Sequence, residues 1–214
     1  SMLLALVEGV PRVVHFTSAG PGEGKSVACA SLAVSLSQSG AKVLCIDADL
    51  RNPSLHAQWG LPNDQGLTTH LVSDVAPADV TAATIADGMY VMTTGPIPPN
   101  PVELLSSERM AALLRLAAER FDYVMIDGPP IIGLADAPVL ARLAGSSGFV
   151  LDAGATPRSM VRDSLKRLRF SGARLLGLVL QKVGQSGRHG YGYGYGYGYG
   201  YKYRYKYNYQ YMYG

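Results

Sequence analysis

Val13-Val14-His15-Phe16-Thr17-Ser18-Ala19-Gly20-Pro21-Gly22-Glu23-Gly24-Lys25-Ser26-Val27 is the stretch on which the fold turns. A short apolar run, Val13-Val14-His15-Phe16, enters a glycine-rich turn. Cys29, Leu32, Ala33 and Leu36 follow at i, i+3, i+4 and i+7, the spacing of one helix face. Strand, glycine loop and helix in that order make a phosphate cradle. The glycines let backbone N–H groups turn inward around an anion, and the helix N-terminus adds partial positive charge. Lys25 is placed to reach the β- and γ-phosphates of a nucleotide, and the Ser26 hydroxyl to ligate Mg²⁺. The pattern G-x-x-x-x-G-K-[ST] is met except at its first position, Ala19, where a small residue suffices. Gly20, Pro21, Gly22, Glu23, Gly24, Lys25, Ser26 and Val27 are therefore candidate nucleotide-binding residues.

Outward from the loop, Gly40 is expected to stop the helix. Residues 43–46 read as a buried strand ending at Asp47, and residues 123–126 as another ending at Asp127. Residues 89–92, 149–151 and 176–180 read as further strands, and residues 104–120 and 157–170 as helices. Apolar strands alternating with helices predict an α/β fold, P-loop NTPase-like, with a mostly parallel sheet covered by helices on both faces. In such sheets ligands bind at the carboxyl ends of the strands. Asp47, Asp49 and Asp127 converge on that edge. Mg²⁺ prefers oxygen ligands and keeps several waters, so Asp127 is the candidate to hold it with Ser26. Asp47 is a candidate to orient the attacking nucleophile, accept its proton or touch the metal. Asp49 and Arg51 read either as a structural ion pair or, for Arg51, as a stabiliser of transition-state charge. His15 reads as a satisfied core residue, and Cys29 and Cys45 as packing residues; the four histidines show no metal-ligand spacing.

The composition agrees with one folded domain and a different appendage. Of 214 residues, 48% are hydrophobic and 16% charged, which excludes a wholly disordered chain. Two cysteines exclude a disulfide-stapled scaffold and favour a reducing compartment. No apolar run approaches the roughly 18 residues of a membrane helix. The composition shifts near residue 185, giving a nucleotide-binding domain over 1–185 and a low-complexity tail over 186–214. Of the 19 cations, Arg188, Lys202, Arg204 and Lys206 lie in the tail, which has no acid; the other 15 face all 16 acids, so the body carries −1. Nothing in the body forms a nucleic-acid footprint.

Twelve of the fourteen tyrosines occupy every second tail position: Tyr191, Tyr193, Tyr195, Tyr197, Tyr199, Tyr201, Tyr203, Tyr205, Tyr207, Tyr209, Tyr211 and Tyr213. Three readings compete. The tyrosines are phosphate acceptors for the nucleotide site, or a stacking surface for single-stranded nucleic acid, or a bland linker or adhesive segment. The phosphate site favours the first. Fully stretched, about 25 residues reach on the order of 80 Å, ample to enter the site of a neighbouring subunit.

Taken together, these residues resemble the catalytic domain of a bacterial tyrosine kinase, of the kind linked to capsule and exopolysaccharide export. Residues 17–26 are similar to the family's Walker A, Ile46-Asp47-Ala48-Asp49-Leu50-Arg51-Asn52-Pro53 to its Walker A′, and Ile126-Asp127-Gly128-Pro129-Pro130 to its Walker B. Pro98-Pro99-Asn100-Pro101-Val102-Glu103-Leu104-Leu105 and the tyrosine cluster complete the match. The resemblance implies ATP- and Mg²⁺-dependent tyrosine phosphorylation on a P-loop fold unrelated to eukaryotic kinases, whose H-R-D and D-F-G signatures are absent here. It implies that Lys25, Ser26, Asp47, Asp49 and Asp127 form the nucleotide, metal and catalytic set. Gln181 stands where the family carries Asn, an adenine contact. The resemblance further implies trans-autophosphorylation of the tail within a ring of subunits, at the inner face of the bacterial cell membrane. A membrane adaptor or polysaccharide co-polymerase domain would activate the kinase, a tyrosine phosphatase would reverse it, and cycling would regulate polymerisation and export; no nucleic-acid partner is expected. The family's E-x-x-R-x-x-R segment ahead of the first strand is not found in these residues.

Two rivals stand beside this reading. A partitioning ATPase of the MinD/ParA type shares the fold but carries a signature lysine five positions before the P-loop lysine, where Gly20 stands here. A nucleotide-gated scaffold, its tail capturing nucleic acid or polysaccharide, would bind ATP without placing phosphate on tyrosine.

Overall fold

A computed structural model describes residues 11–183. The twelve tail tyrosines and the opening apolar run 3–7 lie outside the described residues. In chain order the elements are β1 (Val13–Ser18), α1 (Lys25–Gln38), β2 (Val43–Asp47), α2 (Leu55–Trp59), α3 (Leu67–Val72), β3 (Ala82–Ala83) and β4 (Met89–Met92). They continue with α4 (Pro101–Leu105), α5 (Glu108–Arg120), β5 (Tyr123–Asp127), α6 (Asp136–Ala144), β6 (Ser146–Asp152), α7 (Arg158–Phe170) and β7 (Arg174–Gln181). The strands form one sheet in the order β3-β4-β2-β5-β1-β6-β7, parallel throughout except for the short β3.

The central strands are apolar at nearly every position because both faces of the sheet are covered. Leu44, Ile46, Val124 and Ile126 enter a cluster built with α3, α4 and α5. Their neighbours Val43, Cys45 and Met125 point the other way, against Cys29, Ala33 and Leu36 of α1. Cys29 and Cys45 are fully buried in that second cluster, as packing residues should be. A third cluster joins Phe149 of β6 to α6 and α7.

Register decides what meets at the carboxyl edge. In the β2–β5 pairing Asp47 stands opposite Asp127, and in the β1–β5 pairing Phe16 stands opposite Asp127. Two strand-terminal carboxylates thus lie side by side, next to the loop that leaves β1.

The structure departs from the sequence reading in several places. The helix expected over 104–120 is two helices, broken at Ser106 and Ser107. Ser107 takes an extended conformation, and its hydroxyl accepts a 3.2 Å bond from the Met110 N–H, capping α5. Serine competes with helical backbone in this way and so favours caps over helix interiors. The short helices α2, α3 and α6 were not read from the sequence. Gly40 does follow the end of α1, with φ +92°, and donates to the Ser37 carbonyl. Among the described residues no helix is long and apolar enough to cross a membrane.

The turn into α3 runs against the loop after β4. The Leu67 and Thr68 N–H groups donate to the carbonyls of Thr93 and Thr94, both at 2.8 Å. A Cβ on Gly66 would lie 2.2 Å from the Thr93 oxygen and 2.4 Å from the Gly95 nitrogen, both backbone atoms that cannot swing aside. Gly66→Ala is therefore expected to cost about 3 kcal/mol, at the upper end for overpacking. Urea unfolding should show it as a lower midpoint with an unchanged m-value.

Candidate nucleotide and phosphoryl-transfer site

Gly22 and Gly24 adopt left-handed conformations, with φ +74° and +91°, which glycine alone takes without strain. They turn the loop so that Lys25 becomes the first residue of α1. Glu23 folds back beneath the loop. Its Oε2 accepts the Ala19 N–H at 2.8 Å, and its Oε1 accepts the Thr156 hydroxyl at 2.6 Å. Thr156 lies between β6 and α7, so this carboxylate ties the loop to its neighbour.

A second clasp comes from the end of β7. Lys182 Nζ donates to the Gly22 carbonyl at 2.8 Å and to Asp152 Oδ2 at 2.6 Å, which holds the Asp152 carboxyl below its usual range. Lys182 itself has φ +57°, uncommon for a side-chain-bearing residue. A Cβ on Gly24 would lie 3.1 Å from Gln181 Cγ, so Gln181 packs directly on the loop. Gly20 is buried, Ser26 half-buried, and Pro21, Gly22 and Val27 exposed.

The carboxylates predicted to converge do so around Lys25. Its Nζ is 3.0 Å from Asp49 Oδ2, and both side chains are almost fully buried. Burial by itself would lower the Lys25 pKa, but Asp127, Asp49 and Asp47 outweigh it and raise the value. Asp47 is also buried. Its Oδ2 accepts the N–H groups of Ser54 (2.9 Å) and Leu55 (2.8 Å) at the start of α2, while Oδ1 receives only a longer bond from Asp49 N–H at 3.3 Å. Burial lifts the Asp47 pKa against the pull of those two N–H donors.

Asp127 is different. It is completely buried, and neither oxygen has a hydrogen-bond partner. Burial pushes its carboxyl up to about 7, against the pull of the Lys25 ammonium. The Ser26 hydroxyl also pulls it down, although outside hydrogen-bond geometry. A buried carboxylate with both oxygens free, beside a hydroxyl and a phosphate loop, is the donor set a hard cation takes. Mg²⁺ commonly uses one or two carboxylates and completes its shell with water and phosphate. The residues present therefore fit the ion. Among the described residues no group of three or more His, Cys, Asp or Glu forms a self-sufficient metal cage.

Two expectations are corrected. Arg51 does not pair with Asp49; its Nε lies 2.6 Å from Asp136 Oδ2 and its Nη2 3.3 Å from Oδ1. Asp136, the first residue of α6, is fully buried and was not singled out from the sequence. An Asp in the run Asp136-Ala137-Pro138 reads as an ordinary helix start. His15, expected to be satisfied, has Nδ1 at 3.3 Å from the Ser147 hydroxyl but no partner for Nε2. That nitrogen lies 2.2 Å from where a Gly128 Cβ would stand, so the residue after Asp127 has to be glycine. Thr156, Asp152 and Lys182 were also missed; they lack any signal beyond their place at strand ends.

The arrangement can bind a phosphorylated nucleotide, hold a divalent cation and present carboxylates to an incoming hydroxyl. The family model for the CobQ/CobB/MinD/ParA nucleotide binding domain matches residues 14–191. The tyrosine-protein kinase YwqD of Bacillus subtilis is 41% identical over 189 residues, covering 87% of this chain and 80% of that protein. The solved kinase domain of the Escherichia coli tyrosine kinase ETK superposes with a TM-score of 0.79 at 35% identity, covering 87% of this chain and 73% of that one. The cell division ATPase MinD of Pyrococcus furiosus shares the fold at a TM-score of 0.69 and 27% identity, covering 83% of this chain and 74% of that one.

Asp127 and His15 impose opposite pH dependences. Folded Asp127 keeps its proton up to about 7, whereas the unfolded carboxyl loses it near ~4. Its contribution to stability is therefore complete below ~4 and lost as pH rises to 7. Buried His15 is held neutral down to about 3 by desolvation and by Lys25, whereas the unfolded imidazole protonates below ~6.5. Its contribution is present above ~6.5 and lost as pH falls. Asp127→Asn removes the first slope and should leave the second. Urea unfolding of the nucleotide-free variant should show stability rising from pH 4.5 to 6.5, and greater stability than the parent at pH 8. A variant that merely parallels the parent profile would contradict the shifted carboxyl.

Proposed function

The chain belongs to the bacterial tyrosine-protein kinases of the CobQ/CobB/MinD/ParA nucleotide-binding family, and from that premise we propose that it transfers the γ-phosphoryl group of ATP to tyrosine hydroxyls, those of its own tail included. The observation that carries the proposal is the buried, unpartnered Asp127 carboxylate beside Lys25 on a loop shaped for phosphate.

The backbone N–H groups of Gly22, Glu23, Gly24 and Lys25 donate to the phosphates, aided by the N-terminus of α1. Lys25 exchanges Asp49 for phosphate oxygens as nucleotide binds. Ser26 and Asp127 would hold Mg²⁺, which would supply positive charge against the negative charge that develops in transfer. Gln181, packed against Gly24, lines the side of the loop on which the base lies. Asp47 has one oxygen committed to the start of α2, so Oδ1 is the atom left to orient the tyrosine hydroxyl. The tyrosine O–P bond forms as the bond from the γ-phosphorus to the bridging oxygen breaks; the electron pair leaves with ADP, and the hydroxyl proton passes to Asp47 or to solvent. Arg51 supplies positive charge at the rim.

The acceptors proposed are the twelve tail tyrosines, reached in trans from a neighbouring copy in a ring-forming homo-oligomer. A membrane adaptor, or a polysaccharide co-polymerase domain, would bring that assembly to the inner face of the membrane. A tyrosine phosphatase would reset it, and the cycle would regulate capsule or exopolysaccharide polymerisation and export. The MinD-like likeness supports an ATPase switch as the second reading, and it predicts ADP without phosphotyrosine.

Intact mass before and after MgATP separates the two. Phosphate-sized increments on tail peptides are expected, removable by phosphatase. Lys25→Met should reduce them about 10²- to 10³-fold while circular dichroism shows a folded chain. Changing the tail tyrosines to Phe should remove the increments and leave nucleotide affinity unchanged. Undiminished phosphorylation in Lys25→Met would overturn the assignment.

A further inference from the structure

Four charged side chains alternate in sign along the rim of the site: Lys25, Asp49, Arg51 and Asp136. Lys25 meets Asp49 at 3.0 Å, and Arg51 meets Asp136 at 2.6 Å. The two middle members, Asp49 and Arg51, are two residues apart on the segment leaving β2 and are close enough for the Asp49 charge to strengthen protonation of Arg51. Yet no ion pair forms between them. Asp136 takes the guanidinium instead, through Nε and Nη2, one to each carboxylate oxygen.

The other partners of the two carboxylates explain the choice. The Asp136 and Asp49 side chains are both buried, 1% and 4% exposed, so each needs a cation, and withdrawing the guanidinium would leave Asp136 an uncompensated buried charge. Asp49 meanwhile is satisfied by Lys25 and by the Asn52 N–H at 3.1 Å. That balance changes when Lys25 turns to a phosphate. Asp49 then loses its ammonium, and Arg51 is the nearest replacement along the chain. Were Arg51 free, it would move onto Asp49, cancelling that carboxylate and leaving the rim.

We propose that Asp136 is a positioning residue for phosphoryl transfer, holding the Arg51 fork off Asp49 so that the exposed edge of the guanidinium faces the transferring group and its acceptor. This rests on the kinase reading. Asp136 also begins α6, the helix that follows the Asp127 loop, so the same pair fixes the segment after β2 against the segment after β5. Asp136 touches no substrate; it acts through Arg51.

The test is a double-mutant cycle on the full chain, read as tail phosphotyrosine formation at varied MgATP, with urea unfolding of every variant. Asp136→Asn should lower kcat by about tenfold or more with the KM for ATP nearly unchanged, because the nucleotide contacts remain. Arg51→Met should lose a similar factor, and the double variant no more than Arg51→Met alone, since the aspartate has no function left once its partner is gone. Arg51→Lys covers the case in which removing a buried charge unfolds the chain. It keeps the charge but loses the fork, and should retain the parent's unfolding midpoint while losing rate. Wild-type kcat in Asp136→Asn, multiplicative losses in the double variant, or full rate in Arg51→Lys would each overturn the inference and leave the kinase reading standing. Absence of phosphotyrosine from the parent chain, with ATP bound, would overturn both.

Discussion

A single ammonium held among three carboxylates is the interaction on which this structure depends. Lys25 reaches Asp49 directly and feels Asp127 and Asp47. None of these groups is near another in sequence except Asp47 and Asp49. Their meeting is produced by strand order, which places β5 between β1 and β2, and by a register that sets Asp47 opposite Asp127. Alternate residues of these strands fill two different core clusters, so a one-residue slip would send each side chain into the wrong one. Packing of Leu44, Ile46, Val124 and Ile126 thereby fixes the spacing of charges at the edge. Lys25 balances one of the three carboxyl groups, so the edge keeps an acidic surplus.

Around that centre the loop is braced from outside. Glu23 ties it to Thr156, Lys182 ties it to Asp152, and Gln181 packs on Gly24. All these braces come from the two strands on one side of β1. The carboxylates gathered around Lys25 come from the two strands on the other. The P-loop thus sits between a bracing half and an acidic half of one sheet edge, and the Asp136–Arg51 pair ties together the acidic half.

The sequence made the central machinery legible because it is local. A strand, a glycine turn and a helix occur within residues 13–38, and each aspartate closes an apolar run, so pattern alone located the edge. The tertiary partners were not legible. Asp136 lies 85 positions from Arg51, and Thr156 lies 133 from Glu23; no local signal marks either. Asp49 and Arg51, near neighbours in sequence, left two readings open, an ion pair or a charge stabiliser at Arg51, and the fold does not make the pair. The short helices escaped for another reason. Asp47 starts α2 by accepting two of its N–H groups, a cap supplied from seven and eight residues upstream, and Ser107 divides one periodic stretch into two helices.

The contact between His15 and Gly128 has an evolutionary consequence. The imidazole fills the space that any side chain at position 128 would need. A lineage can enlarge position 128 only after position 15 has shrunk, and a shrunken residue 15 opens a void beside the buried Asp127 until the second change arrives. The two sites are therefore expected to drift together or not at all, although 113 positions separate them.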